Sequence, residues 1–422
     1  KRQEQLQSQL RTRGSGPISS IFGLILLTLL QAAMLMGFLL SGVEEEYPSY
    51  VLGFCSVAIC QWGLFLFYTV IHRSSFEVET LAFFLCTLGM AAIATVKPGE
   101  ILKQAAAMLL GVLTFLLIGW SLRDLERAKR CRYLAVLLGV GFLVITLLFG
   151  REYYGAKNWL VIGGLSLQPS ELSKVCFVYA GASTMDRIMN KRNLILFIAY
   201  SVVICGLLAL MNDFGTAMIF FCAFLIIAYL RSGSVGTIAL ACTALGFAGV
   251  LAIRIAPHAL NRFATWRHIW ESPYSSGYQQ TQAIMCIASG GLFGLGAGKG
   301  FLQKVFAADS DIVFATISEE WGLLLALLAV LAVAALGFFA IRTSRVSRSS
   351  FYCIGGCTAA GILLIQAALN CLGTVDILPF TGVTFPFLSN GGTSMIGAWG
   401  LLAFVKAADT RQNASFAVRY TK

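Results

Sequence analysis

The stretch "DIVFATISEEWGLLLALLAVLAVAALGFFA", residues 311–340, decides the fold. From Leu323 onward it holds no charged residue, and about 20 such residues are what a helix needs to cross the hydrocarbon core of a bilayer. A membrane-spanning strand would alternate apolar and polar positions, which this run does not do. Comparable runs recur along the whole chain. Hydrophobic residues make up 58% of the 422 and charged residues 12%, with a mean hydropathy of +0.79. A soluble domain carries roughly 25% charged residues, so this chain cannot cover a water-facing surface. The expected fold class is all-α: a polytopic helical membrane protein of about 10–12 transmembrane helices with a large structured extracytoplasmic loop.

Twelve spans fall at roughly 18–40, 50–71, 79–96, 101–120, 133–149, 171–185, 194–211, 214–231, 234–255, 311–340, 350–371 and 391–408. A basic arm precedes the first span and no small-residue cleavage site follows it, so it reads as a retained anchor. With the N-terminus cytoplasmic, 21 of the 31 Lys and Arg collect on the cytoplasmic side, as the positive-inside rule requires. The densest cluster is "SLRDLERAKRCR" (121–132), and the first outer loop, "SGVEEEYPS" (41–49), has three Glu and no cation. Both termini are then cytoplasmic. The net charge of +11 reflects topology and attraction to anionic membrane lipids. Nucleic acid is not expected as a partner, because the cations are spread over short loops. The expected division is a basic arm at 1–16, N-terminal helices at 17–150, a core at 151–408 that includes an outer loop at 256–310, and a cytoplasmic tail at 409–422.

The twelve Cys are scattered without a CxxC pair and read as small apolar residues. The three His do not cluster, so no His-ligated metal site is expected. A P-loop and a Rossmann fingerprint are both absent. Ten cations lie outside the cytoplasmic set, and eight of them belong to 151–174 and 254–304 or their flanks. Long translocated loops escape the charge rule; the alternative is an anionic ligand at the outer face.

Four outer segments carry the polar residues. In "REYYGAKNWLVIGGLSLQPSELSKV" (151–175), Ser170 can cap the sixth span with Glu171 in its first turn. Lys174 one turn further in is costly unless it snorkels outward or meets an anion. In "NDFGTAMIFF" (212–221), Asn212 or Asp213 can cap the eighth span. The third is the long loop 256–310. It holds "WESPYSSGYQQTQA" (270–283) and "GGLFGLGAGKG" (290–300), whose glycines would let backbone N–H groups approach a phosphate. Asp309, Asp311, Glu319 and Glu320 lead from it into the tenth span, and acids at membrane depth either face a cavity or form a structural pair with Lys or Arg. The last is "NCLGTVDILPFTGVTFPFLSNGGTSM" (370–395), a broken re-entry. Such backbone survives at membrane depth only where protein or a water-filled cavity satisfies it.

These segments, in this order, resemble the FtsW/RodA/SpoVE family of bacterial shape, elongation, division and sporulation proteins. The matching stretches are "GAKNWLVIGGLSLQPSELSK", "DFGTA", "SGYQQTQAIMCIASGGLFGLGAGKGFLQK", "DIVFATISEEWG" and "PFLSNGGTSM", covering about 155–405. The resemblance implies a peptidoglycan glycosyltransferase in the bacterial cytoplasmic membrane. Such an enzyme polymerises lipid II, a disaccharide-pentapeptide on undecaprenyl pyrophosphate, and works with a class B penicillin-binding protein. A sugar hydroxyl attacks an anomeric carbon and pyrophosphate leaves. That needs a base for the hydroxyl, and on the leaving group positive charge or a divalent cation such as Mg or Mn. The matched stretches put forward Lys157, Trp159, Glu171, Lys174, Gln279, Lys304, Asp311, Glu319, Glu320 and Ser389 as substrate-binding residues.

In the family an Asp directly before the loop Pro is thought to be the base; here Ser272 stands there. Glu271, one residue earlier, is the candidate base, with Asp213 as a second catalytic acid. The alternatives are a base elsewhere among Asp213, Asp309 and Asp311, or a family member that binds lipid II or a partner without polymerising, or a flippase. Other departures are Asn158 for the usual Arg, Asn212 for Pro, Asp376 for Gly and Asn390 for Tyr.

Overall fold

The computed structural model describes residues 17–41, 43–73, 75–153, 155–185, 191–236, 239, 242–243, 246, 257–347, 349–411 and 414–415. Among them the long helices are α1 (Pro17–Ser41), α2 (Tyr47–Val70), α3 (Glu77–Val96), α4 (Ile101–Leu122), α6 (Arg132–Phe149), α8 (Lys191–Leu210), α9 (Phe214–Ser232), α13 (Leu323–Ser344) and α14 (Ser350–Thr374). The shorter ones are α5 (Leu125–Arg130), α7 (Pro169–Met185), α10 (Pro257–Thr265), α11 (Tyr278–Gly290), α12 (Val313–Trp321) and α15 (Gly392–Ala408). The nine long helices are each apolar and long enough to cross a membrane. The chain is a multi-pass membrane protein.

Of the twelve expected spans, eight coincide with these long helices; the ninth, 234–255, lies largely outside the described residues. The sixth and twelfth are the 17-residue helices α7 and α15. The tenth is not one helix: it breaks at Gly322 (φ 90°, ψ 156°) into α12 and α13. The break follows from packing. A Cβ on Gly322 would collide with the backbone of Leu292 and Phe293, and one on Gly294 with the backbone of Glu320. Only glycine tolerates both the left-handed φ and so close an approach.

α3, α14 and α15 form the interior. About 78% of the most apolar stretch of α3 is buried, against 28% for α1, α6 and α8, whose apolar faces are left for lipid. Fully buried Trp399 of α15 packs on Phe83, Phe115 and Phe387. Gly111 of α4 leaves room for its ring. In the lipid-facing helices a buried polar knot, Gln31 donating to Gln61 (3.0 Å) and Thr87 (3.0 Å), ties α1 to α2 and α3. One departure from an all-helical chain is a small antiparallel sheet, β1 (Arg151–Tyr153), β2 (Ala156–Ile162) and β3 (Leu165–Leu167), in that order. Arg151 pairs with Trp159 and Leu160 with Leu167. The Gly163–Gly164 turn (φ 57° and 82°) folds β3 back on β2, which is how a two-residue hairpin needs positive φ.

Candidate functional site

The re-entrant segment 375–391 is the hub where the outer segments meet. Its irregular backbone is satisfied by side chains from its neighbours, as broken chain inside a membrane protein requires. Asn370 of α14 donates to Asp311 O (2.8 Å) and Val383 O (2.8 Å). Ser389 donates to Ser310 O (2.6 Å) and accepts from the Phe385 N–H (2.8 Å). Arg262 of α10 donates to Thr381 O (3.1 Å), and Trp266 Nε1 to Ile377 O (3.2 Å). At the left-handed Gly382 (φ 65°) a Cβ would stand 3.2 Å from Asp311 Oδ2, so the glycine gives that carboxylate its room.

Buried Asp309 closes one side of the hub. Its carboxylate accepts from Lys97 at the end of α3 (3.1–3.2 Å) and from Asn390 Nδ2 (2.6 Å). Asn390 also donates to Glu100 (2.8 Å), and its own N–H bonds Asp309 O (2.8 Å). Asp213 closes another side. Of the two caps expected for this helix, Asp213 is the one that forms: it starts α9 and accepts from Thr216 N–H (3.1 Å). Asn158 Nδ2 donates to its other oxygen (3.0 Å), and Lys157 N–H bonds Met211 O (2.9 Å), hooking β2 onto the end of α8. Gly215, one turn into α9, lies against Thr381 and Val383. Asp213, Asp309, Asp311 and Arg262 therefore surround one stretch of chain, 381–390.

Lys174 and Glu171 are buried together at 2.7 Å in the first turn of α7. The pair answers the question Lys174 raises: its anion is a neighbour one turn back. Gly397 of α15 lies against the Glu171 backbone, and Gln168 N–H bonds Thr393 Oγ (3.1 Å), so this pair stands behind the wall that continues from the hub. The helix begins at Pro169 and not after Ser170, whose hydroxyl is buried with no hydrogen-bond partner.

Glu319 and Glu320 do something else than either sequence expectation. Glu319 accepts from the N–H groups of Phe301 (2.8 Å) and Leu302 (3.0 Å). Glu320 accepts from Gly298 and Gly300 N–H (3.3 Å each) and from Thr95 Oγ (2.6 Å). Among the described residues neither is ion-paired with a Lys or Arg; they peg the glycine-rich run in place. The N–H groups of Gly298, Gly300, Phe301 and Leu302 are thus occupied by the protein's own carboxylates.

The remaining sequence candidates sit on the outer surface of the loop. Glu271 ends a single 3-10 turn and is exposed beside exposed Trp270 and Tyr274. Lys304 is exposed on another short turn, 5.8 Å from the Phe301 ring. Gln279 is half-buried and donates to Phe306 O (2.8 Å). Trp159 and Lys157 are half-buried in β2. Beneath the loop a second apolar cluster, including Ala283, Leu302, Val305 and Ile312, fastens it to α12.

Burial holds the Asp311 carboxyl at about 6, above its ordinary value; Asp309 adds to the rise, while the Ser310 hydroxyl, Arg262 and Lys97 pull against it. Its surroundings include residues the sequence reading did not single out as site residues: Lys97, Glu100, Arg262 and Asn390. Lys97 and Arg262 belong to the cations that break the charge rule, and Asn390 is one of the family departures, so a signal existed for these three and none for Glu100.

Broken half-helices and an irregular segment gathered at one end of a helical bundle define a class: polytopic membrane proteins with an irregular, polar site at one end of the bundle. The chain belongs to the Cell cycle protein family, FtsW/RodA/SpoVE, which matches residues 52–414. It is 30% identical over 325 residues to "Peptidoglycan glycosyltransferase RodA" of Mycobacterium tuberculosis (strain ATCC 25618 / H37Rv), covering 72% of this chain and 69% of that protein. It is 30% identical over 396 residues to "Probable peptidoglycan glycosyltransferase FtsW" of Bacillus subtilis (strain 168), covering 86% and 92%. The fold resembles a chain solved in work on "polymerization and crosslinking by a peptidoglycan synthase complex" (TM-score 0.66, 23% identity, 80% of this chain and 98% of that one). It also resembles the rod shape determining protein RodA of Thermus thermophilus (TM-score 0.56, 24% identity, 78% and 95%).

Proposed function

We propose that this chain is a peptidoglycan glycosyltransferase that polymerises lipid II at the outer face of the bacterial cytoplasmic membrane, with both termini cytoplasmic. The observation that carries the reading is the convergence of Asp213, Asp309, Asp311 and Arg262 on 381–390 in a chain whose curated relatives are named peptidoglycan glycosyltransferases. Arg262, Lys97, Lys157 and Lys304 supply cations for the pyrophosphate, and Trp159 and Trp270 offer flat faces for sugars. Glu271 and Asp213 are the proposed acids of the loop and of the α9 start: Glu271 meets substrate at the rim, and Asp213 orders the helix end. Gln279 and Ser389 shape the loop and the re-entry, while Glu171, Lys174, Glu319 and Glu320 support the wall from behind. A class B penicillin-binding protein is the proposed partner; the complex named in the similar structure's description supports this.

Asp213 and Asp309 have their carboxylates engaged. Among the described residues no three His, Cys, Asp or Glu stand close enough to hold a metal. These residues do not by themselves form a resident metal site. Any divalent cation would arrive with the diphosphate, as Mg commonly does.

The test is polymerisation of lipid II by the purified full chain, with and without a class B penicillin-binding protein; glycan strands are expected. One observation favours a second reading, a lipid II-binding protein that does not polymerise: Ser272 stands where the family carries its loop Asp. Lipid II binding with no glycan product decides for it, and lipid II flux across sealed vesicles would decide for a flippase.

A further inference from the structure

We infer that Asp311 is the proton acceptor of the sugar transfer, the role that Ser272 cannot fill; the inference rests on the polymerase reading above.

Elimination starts from hydrogen bonds. Asp309 is committed to Lys97 and Asn390, and Asp213 to Asn158 and the α9 N-terminus. Glu171 is held by Lys174, Glu100 by Asn390, and Glu319 and Glu320 by backbone N–H groups. Asp376, the acid of the re-entrant segment, accepts from Arg267 N–H (3.1 Å) and Gln280. A carboxylate that already accepts from fixed donors gives up those bonds to take a proton. Glu271 has no such ties, but stands exposed on a loop, where water levels its basicity and nothing fixes its position.

Asp311 differs on both counts. It is half-buried in the hub. Its main chain is pinned on two sides, its N–H on Ala307 O (3.0 Å) and its carbonyl by Asn370 (2.8 Å). Its Oδ2 looks onto Gly382, whose missing side chain leaves room beside the carboxylate, and the hydrogen bond that reaches that carboxylate from Ser310 comes from a hydroxyl that can rotate, not from fixed main chain. The groups that face it are Arg262 from α10, Lys97 from the end of α3, and Asp309 and Ser310 from its own turn. Burial brings its pKa to about 6, inside the range that suits a base near neutral pH; burial raises Glu320 too, to about 7, but both of its oxygens are bonded, to Gly298, Gly300 and Thr95.

The acceptor hydroxyl oxygen forms its bond to the anomeric carbon, and the hydroxyl proton passes to an Asp311 oxygen. The anomeric carbon–oxygen bond to the diphosphate breaks, its electron pair leaving with the polyprenyl diphosphate. Arg262 and Lys97, the cations whose charge reaches Asp311, are the groups that meet that charge.

The experiment measures lipid II polymerisation and lipid II binding for the full chain and for Asp311→Asn and Asp311→Glu. Asp311→Asn is expected to lose about a hundredfold or more in kcat while lipid II still binds. Asp311→Glu keeps part of the rate with a displaced acid limb. If Asp311→Asn retains the rate and its acid limb, the inference fails and the polymerase reading stands. If it loses binding together with rate, Asp311 is structural and the inference fails likewise. A wild-type chain that binds lipid II and makes no glycan overturns the polymerase reading first, and the inference with it.

Discussion

Two sets of acids lie within ten residues of each other, and the structure treats them differently. Glu319 and Glu320 sit at the end of α12 and accept four backbone N–H groups and a hydroxyl. Asp311, just before α12, faces a glycine, the Ser310 hydroxyl, Asp309 and two cations, with no main-chain N–H among the described residues given to its carboxylate. A buried acid is read by its donors. Fixed main-chain donors make it a structural peg, whereas an open side makes it a group that can exchange a proton.

The largest expected effect breaks that contrast from the peg side. Glu319→Ala strips two N–H groups of their acceptor, and at about 1–3 kcal/mol for each buried unsatisfied group it should lower stability by roughly 2–6 kcal/mol. Thermal unfolding in detergent reads this. An unchanged midpoint would remove the distinction. Lys174→Met comes next: an unpaired buried Glu171 costs about 3–5 kcal/mol, and adding Glu171→Gln should return part of it. Gly382→Ala sharpens the other side. A left-handed alanine costs about 1–2 kcal/mol, but its methyl crowds Asp311, so the rate should fall more than stability does.

The pH dependence follows from the raised Asp311 carboxyl. Its pKa of about 6 lies above the unfolded value, so its base form is lost as pH falls through 6, and with it the rate. The same shift makes the folded state the better proton binder: Asp311 favours folding most below pH 4, and that contribution declines as pH rises to 6. The rate and the stability should therefore move in opposite directions across this window. The smallest effect is Asn158→Ala, about 1 kcal/mol for one hydrogen bond to Asp213, with little change in kcat.

Much of the fold was legible because lipid imposes one rule on every span: about 20 apolar residues in a row. The rule fails where protein, and not lipid, is the solvent. The span expected at 311–340 breaks at Gly322, because the backbone of 290–294 presses against it and that contact leaves no mark in hydropathy. The 151–167 sheet was hidden for a related reason, being too short and mixed to show a strand period. In the site, the capping role of Asp213 was readable from "NDFGTA", since capping is local. The partners of Lys174 and Asp309 were not equally readable. Glu171 is one turn away, but Lys97 and Asn390 are 212 and 81 residues distant from Asp309. Pairing across such separations depends on the finished packing. Glu271 attracted attention as the lone acid of a polar loop, a property of sequence that says nothing of exposure.

The last helix illustrates what a buried charge asks of biogenesis. α15 is short and carries Lys406, which is 2% exposed and bonded to Glu79 of α3 (3.0–3.1 Å) and to Ser75 O (2.7 Å). A solitary ammonium among lipid tails is costly. Synthesis delivers α3 hundreds of residues earlier, so the counter-charge is already in place when α15 leaves the ribosome. The final segment can complete the bundle only by docking onto an acid that has been waiting for it.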